Sequence, residues 1–88
     1  MKIDIENLKK RIVYRSQYRG TKEMDKLLFA FVSKYLNHID ESSLIDLEKF
    51  LNIDDETLYK FYNGANLDSK YENDYIVDLF KNFKFNDN

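Results

Sequence analysis

The 88-residue sequence contains no cysteine, no proline, no tryptophan, one histidine and two glycines. Without cysteine there are no disulfides and no thiolate metal sites, and a reducing compartment is compatible. No proline and no Ser/Gly-rich stretch marks a linker, and no internal repeat or low-complexity segment breaks the chain into units. No apolar run reaches the roughly 18–20 residues that a membrane helix needs. The start, "MKIDIENLKKR", has no apolar core before a small-residue cleavage site and is too acidic for an organelle transit peptide. The chain is therefore expected to stay where it is made, most simply a bacterial cytoplasm, with no insertion into a membrane.

What is present is hydrophobic content of 43%, a charged fraction of 34%, and seven Tyr and seven Phe. Those values fit a folded, well-charged domain whose core volume is largely aromatic. The length fits one domain over 1–88, with a frayed tail at about 84–88 and roughly 60–65% of the unfolded surface buried. The net charge of −2 hides a division: residues 1–26 carry +4 and residues 40–57 carry −6. Such a bipolar molecule suits oriented docking on a protein partner, although helix-end charges account for part of the pattern.

Every long segment reads at the helical period. A first helix is expected from about Ile3 to Tyr18, with Ile5, Leu8, Ile12 and Val13 inward. A second starts near Thr21 and carries Met24, Leu27, Leu28, Phe31, Val32, Tyr35 and Leu36 on one stripe, the strongest periodic signal in the chain. Ser43 with Asp46 reads as a capping box for a third, with Leu44, Leu47, Phe50 and Leu51 inward. Asp54 reads as the N-cap of a short fourth helix bearing Leu58, Phe61 and Tyr62, and Asn63–Gly64 as its end. Ser69 with Glu72 reads as the start of a fifth, with Tyr75, Ile76, Leu79, Phe80 and Phe83 inward. The expected fold is all-α, a compact five-helix bundle.

Catalytic chemistry has little to stand on. His38 lies near the end of the second helix, where a cation is favoured, and no cysteine or suitably placed serine accompanies it. The acids at Asp54–Glu56 lack the spacing of a calcium loop and are better explained as a helix start. No phosphate-binding glycine pattern and no acid/base pair is visible. Arg11, Arg15 and Arg19 form a basic stripe at i, i+4, i+8 with Tyr14 and Tyr18 interleaved, a pattern that nucleic-acid binders use. The overall acidity and the negative region that follows weigh against that use.

The joint "YRSQYRGTKEMD" concentrates charge between two helices. Gly20 fits the left-handed residue that ends the first helix, and Glu23 fits the first turn of the second. Arg19 is less well explained, because it also adjoins the positive end of the next helix. An exposed arginine on a short rigid joint is the kind of side chain that anchors an interface.

Those residues carry a family resemblance. "RIVYRSQYRGTKEMDKLLFAFV" resembles the succinate dehydrogenase flavinylation factors, small assembly proteins of bacteria and mitochondria whose hallmark is R-G-x-x-E between their first two helices. Here that motif is Arg19, Gly20 and Glu23, with Arg11 and Tyr14 matching an upstream Arg and Tyr. "NIDDETLYKFYNG" is similar to the family's later acid-plus-aromatic segment at Asp54, Asp55, Leu58, Tyr59 and Phe61. The likeness covers about residues 8–83. It departs at Tyr18, where the family usually has a basic residue, at Thr21 in place of Met, at Phe61 in place of Trp, and in lacking the loop proline.

The resemblance implies a non-enzymatic assembly factor that binds the flavoprotein subunit of succinate dehydrogenase, in some bacteria also of fumarate reductase, and promotes covalent FAD attachment to a histidine of that subunit. The FAD belongs to the client, no cofactor is expected for this chain, and the free protein is expected to be a monomer. Arg19 would reach a carboxylate or carbonyl of the client, Gly20 would permit close approach, and Glu23 would pair with a client base or orient Arg19. Tyr14, Arg15 and Asp25 would be supporting neighbours. Arg19→Ala and Glu23→Ala would then leave the fold intact and lower client flavinylation. The alternatives are a helical adaptor or antitoxin-like regulator and, behind it, a nucleic-acid binder.

Overall fold

The computed structural model describes residues 4–66, 71 and 74–84. Among them the chain forms five α-helices and no strand: α1 (Ile5–Arg15), α2 (Lys22–Tyr35), α3 (Glu41–Phe50), α4 (Asp55–Tyr62) and α5 (Tyr75–Asn82). The expected all-α bundle is the architecture found. α1 packs on α2 and α3, and α5 packs on α3 and α4.

With no proline to help, every start is set by a side-chain cap. Asp4, Thr21, Asp40, Asp54 and Asp74 each accept from backbone N–H groups of the turn they open. Two of these correct the expected boundaries. α3 is capped by Asp40 rather than Ser43, because the Asp40 carboxylate takes the Ser43 N–H at 2.9 Å and the Ser42 hydroxyl at 3.1 Å, which lets the helix begin at Glu41. α5 is capped by Asp74, which takes the N–H groups of Ile76 and Val77. The expected cap residues Ser69 and Glu72, the start at Ile3 and the tail at 85–88 lie outside the described residues. α4 ends as expected: Gly64 has φ 107°, its N–H donates to Phe61 O, and the Ala65 N–H donates back to Lys60 O.

The core is aromatic. Phe31 from α2 makes ring contacts with Phe50, Phe80 and Phe83 at 5.8, 5.2 and 5.5 Å, and Phe80 from α5 also meets Phe50 at 5.1 Å and Tyr62 at 5.2 Å. These edge-on and tilted contacts bring α2, α3, α4 and α5 to one point. Around it lie Leu8 and Ile12 of α1, Leu27, Leu28 and Val32 of α2, Leu44 and Leu47 of α3, and Leu58 and Phe61 of α4. Tyr75 is not part of it. The inward stripe of α5 runs through Ile76, Val77, Phe80 and Phe83, which turns Tyr75 about a hundred degrees away, to an exposed position.

Total stability for a domain of this size is on the order of 4–13 kcal/mol. Phe80→Ala should remove about 3–5 kcal/mol of it, because a fully buried ring shared by three helices leaves a cavity. Tyr75→Ala on the same helix should stay within about 0.5 kcal/mol. Urea unfolding followed by circular dichroism distinguishes the two.

Candidate functional site

The joint between α1 and α2 starts where α1 runs out. Ser16 is fully buried and its hydroxyl donates to Val13 O at 2.7 Å, tying off the last turn. α1 thus ends at Arg15, three residues short of the expected Tyr18. The residue that turns the chain left-handed is Tyr18, at φ 57°, and not Gly20. A bulky side chain in that region costs roughly 1–3 kcal/mol and persists only when its surroundings impose it. What imposes it lies on both sides: the buried Ser16 before, and after it the Arg19 N–H, which donates to the Asp25 carboxylate in the first turn of α2.

Gly20 is required for another reason. Its N–H donates to Asp55 Oδ2 at 2.5 Å, and a Cβ at this position would sit 3.0 Å from that same oxygen. The close approach that Gly20 permits is therefore to α4 of its own chain.

Arg19 is turned inward, which corrects the expectation of an exposed arginine. Its side chain is 12% exposed, and Nε meets Asp55 Oδ1 at 2.7 Å. Nη1 donates to the carbonyls of Arg15 and Leu51, both at 3.0 Å, and Nη2 donates to the carbonyl of Ile53 at 3.1 Å. Four of a guanidinium's five N–H groups are thereby satisfied within the chain. Three of the acceptors, Asp55 and the carbonyls of Leu51 and Ile53, belong to the segment from α3 to α4, so the side chain pins that segment to the joint.

The rest of the basic stripe does the same. Arg11 forms a fork on Glu48, with Nε at 2.7 Å from Oε2 and Nη2 at 3.3 Å from Oε1. Arg15 donates through Nη1 to Asn52 Oδ1. The three arginines form a ladder from α1 and the joint onto α3 and the α3–α4 turn, and each spends side-chain donors inside the molecule. Hydrogen bonding to Arg11 holds the Glu48 carboxyl below its ordinary value of 4.5. The hydrogen bonds from Thr57 likewise hold the Asp54 cap below its ordinary 3.8.

The exposed groups of the joint are Tyr14, Arg15, Tyr18, Gly20, Thr21, Lys22 and Glu23. Tyr14 and Tyr18 pair at 5.7 Å between ring centres, both largely in solvent. A groove of about 530 Å³ opens between the first turns of α2 and α4, lined by Gly20, Thr21, Glu23, Met24, Asp55, Glu56 and Tyr59. Met24 forms its buried base, and Tyr59 is half-exposed. Glu23 thus shares a surface with Tyr59 and Gly20, while Asp25 and Arg19 hold that surface from beneath. His38 is exposed in the turn after α2. Among the described residues no cluster of three or more His, Cys, Asp or Glu side chains is placed to hold a metal ion. Asp55 and Tyr59 were visible in the sequence only as parts of a helix start and a motif; the legible signal for Asp55 as the partner of Arg19 was the opposition of a +4 segment to a −6 segment.

Arg19→Ala leaves Asp55 and three carbonyls without their donor and should cost about 2–4 kcal/mol. It is therefore a folding substitution, in contrast to the intact fold expected from an exposed arginine. Asp55→Ala should cost a similar amount, and the double variant clearly less than the two together. Gly20→Ala should cost about 1–2 kcal/mol by crowding the pinned carboxylate. The depressed carboxyl of Glu48 stabilises the fold fully above the ordinary carboxylate range, and that stabilisation is lost as pH falls through the lower folded value. Glu48→Gln should accordingly lower Tm at neutral pH and converge on wild type as pH falls through the folded carboxyl's lowered value. Thermal melts of the variants across pH check both sets.

Comparison with known proteins identifies the family. The family described as flavinator of succinate dehydrogenase matches residues 10–84. Succinate dehydrogenase assembly factor 2, mitochondrial, of Scheffersomyces stipitis is 32% identical over 81 residues, covering 88% of this chain and 54% of that protein. The protein of the same name in Saccharomyces cerevisiae is 29% identical over 86 residues, 93% of this chain and 53% of the relative. That of Lodderomyces elongisporus is 35% identical over 75 residues, 81% and 46%. The chain spans about half the length of the curated relatives it matches. Their names place them in the mitochondrion, which overturns the expected cytoplasmic location. The acidity that prompted that expectation belongs to the first helix, where Asp4 is the cap and Glu6 lies in the first turn, and it carries no address. With the family matched over most of its length and R-G-x-x-E placed at the joint of its first two helices, this chain belongs to the succinate dehydrogenase flavinator family.

Proposed function

We propose that this protein is a non-catalytic assembly factor that binds the flavoprotein subunit of succinate dehydrogenase and promotes covalent attachment of FAD to it. The client supplies the attacking side chain and owns the FAD, and the factor holds the client in a competent arrangement without a cofactor of its own. The observation that carries the reading is the joint: it presents Gly20 and Glu23 on a surface locked by Arg19–Asp55 and by Asp25 beneath the Arg19 N–H. A pre-organised surface loses little freedom on binding, which favours association without new contacts.

The docking face would comprise Arg19, Gly20 and Glu23, with Tyr14, Arg15 and Asp25 around them. Their roles divide by depth. Glu23, Tyr14 and the Gly20 backbone face the client. Arg19 and Asp25 act through them, by holding the joint against the α3–α4 segment, and the exposed Arg15 braces the same segment from the surface through Asn52. All 88 residues would act as one docking unit, and free protein would be monomeric. The arginine ladder disfavours the nucleic-acid alternative, since two of its three members are paired with acidic side chains.

Purified flavoprotein subunit, FAD and this protein should yield more covalent flavin than subunit and FAD alone, read by in-gel flavin fluorescence. Glu23→Ala should lower that yield severalfold with its Tm unchanged, because its carboxylate is exposed and unpaired in the fold. Arg19→Ala should lower yield and Tm together. Equal flavinylation with and without the protein would rule the reading out.

A further inference from the structure

We infer that the groove between the first turns of α2 and α4 receives an arginine side chain of the partner, with Glu23 taking the guanidinium and Tyr59 stacking against it. This rests on the docking role proposed above and names the chemistry that the groove selects.

The first support is an accounting of carboxylates around the joint. Glu48 is taken by Arg11, Asp25 by the Arg19 N–H, Asp54 by Thr57, Asp55 by Arg19 and Gly20, and Glu56 by Lys60 at 2.9 Å. Among the described residues, only Glu23 of this set has no hydrogen-bonding or ionic partner. The positive end of α2 favours it, as it favours Asp25 in the same first turn, but supplies no hydrogen-bonding or ionic partner for its carboxylate. An uncompensated carboxylate at the lip of a groove calls for a cation.

The second support is independent of charge. Tyr59 is half-exposed on the groove wall and takes part in no ring pair among the described residues, unlike the aromatic side chains of the core. Exposed tyrosine on a rigid wall is a characteristic interface anchor. Its neighbours at the base, Met24 and the side-chain-free Gly20, suit an aliphatic stem. A cation that carries such a stem, stacks on a ring and forks onto a carboxylate is a guanidinium. An ammonium keeps its water and makes a point contact only.

The third support is rigidity. Gly20 and the first turn of α4 form the two sides of the groove, and Asp55 joins them directly through Gly20 N–H and Arg19 Nε. The groove is thus held open before a partner arrives, and an inserted side chain bears little ordering cost.

The test is calorimetric titration of the full chain with the flavoprotein subunit, followed by cross-linking from a benzophenone amino acid placed at position 59. Glu23→Gln should weaken binding about tenfold or more, and Tyr59→Leu about tenfold. Tyr59→Phe should stay within roughly threefold, because the ring is kept. The cross-linked client segment should contain an arginine, and exchanging that arginine for glutamate should be rescued by Glu23→Arg. Wild-type binding that is indifferent to Glu23→Gln and Tyr59→Leu overturns the groove assignment alone. So does a cross-linked segment with no arginine, or with lysine in its place. Absence of wild-type binding is a different result, and it removes the functional reading together with this one.

Discussion

One carboxylate holds the joint of this molecule together. Asp55 uses one oxygen for the Arg19 guanidinium and the other for the Gly20 N–H, so a single side chain at the start of α4 grips both neighbours of the α1–α2 turn. The grip works because Gly20 has no Cβ to keep the oxygen away, and because Arg19 has further acceptors in the carbonyls of Leu51 and Ile53. Removing any of the three parts leaves the other two with unmet hydrogen bonds in a partly buried place, which is the expensive direction for a polar network. The left-handed Tyr18 can be tolerated because this network fixes the residues that follow it.

The same clamp gives the charge division of the chain a purpose inside the fold. The +4 and −6 segments are joined across the fold by the pairs Arg11–Glu48 and Arg19–Asp55, and Arg15 adds a hydrogen bond to Asn52. At the joint the surface keeps a tilted pair of tyrosines, Gly20, Glu23 and the tyrosine of the adjoining groove, beside the exposed Arg15, Thr21 and Lys22. A protein whose task is to hold another protein in one arrangement is well served by a few groups on an immobile mount. An aromatic core joining four helices supplies the stiffness.

Much of the fold was legible in the residues. The α2 stripe through Met24, Leu28, Phe31 and Val32, the inward faces of α3 and α4, the Asp54 cap and the Gly64 end all read correctly, because period and capping are local properties of a chain. Boundaries that depend on competition between neighbouring caps did not. Asp40 caps α3 in place of Ser43, and α5 starts after Asp74 with Tyr75 turned out of the core, because neighbouring cap residues compete and tertiary packing selects among them. The resemblance to the family was legible too, and the family match covers residues 10–84.

The sequence by itself determined an all-helical chain, its apolar faces, its divided charge and the family it belongs to, since all of these follow from residue types and their spacing. Only the tertiary structure decided which way Arg19 points and what Gly20 is for. Both depend on Asp55, thirty-six and thirty-five residues away in the chain, and no local rule connects them. An arginine beside a helix start has equal local reason to reach outward or inward. It turns inward because the α3–α4 turn brings a carboxylate and two carbonyls to the place where the guanidinium ends.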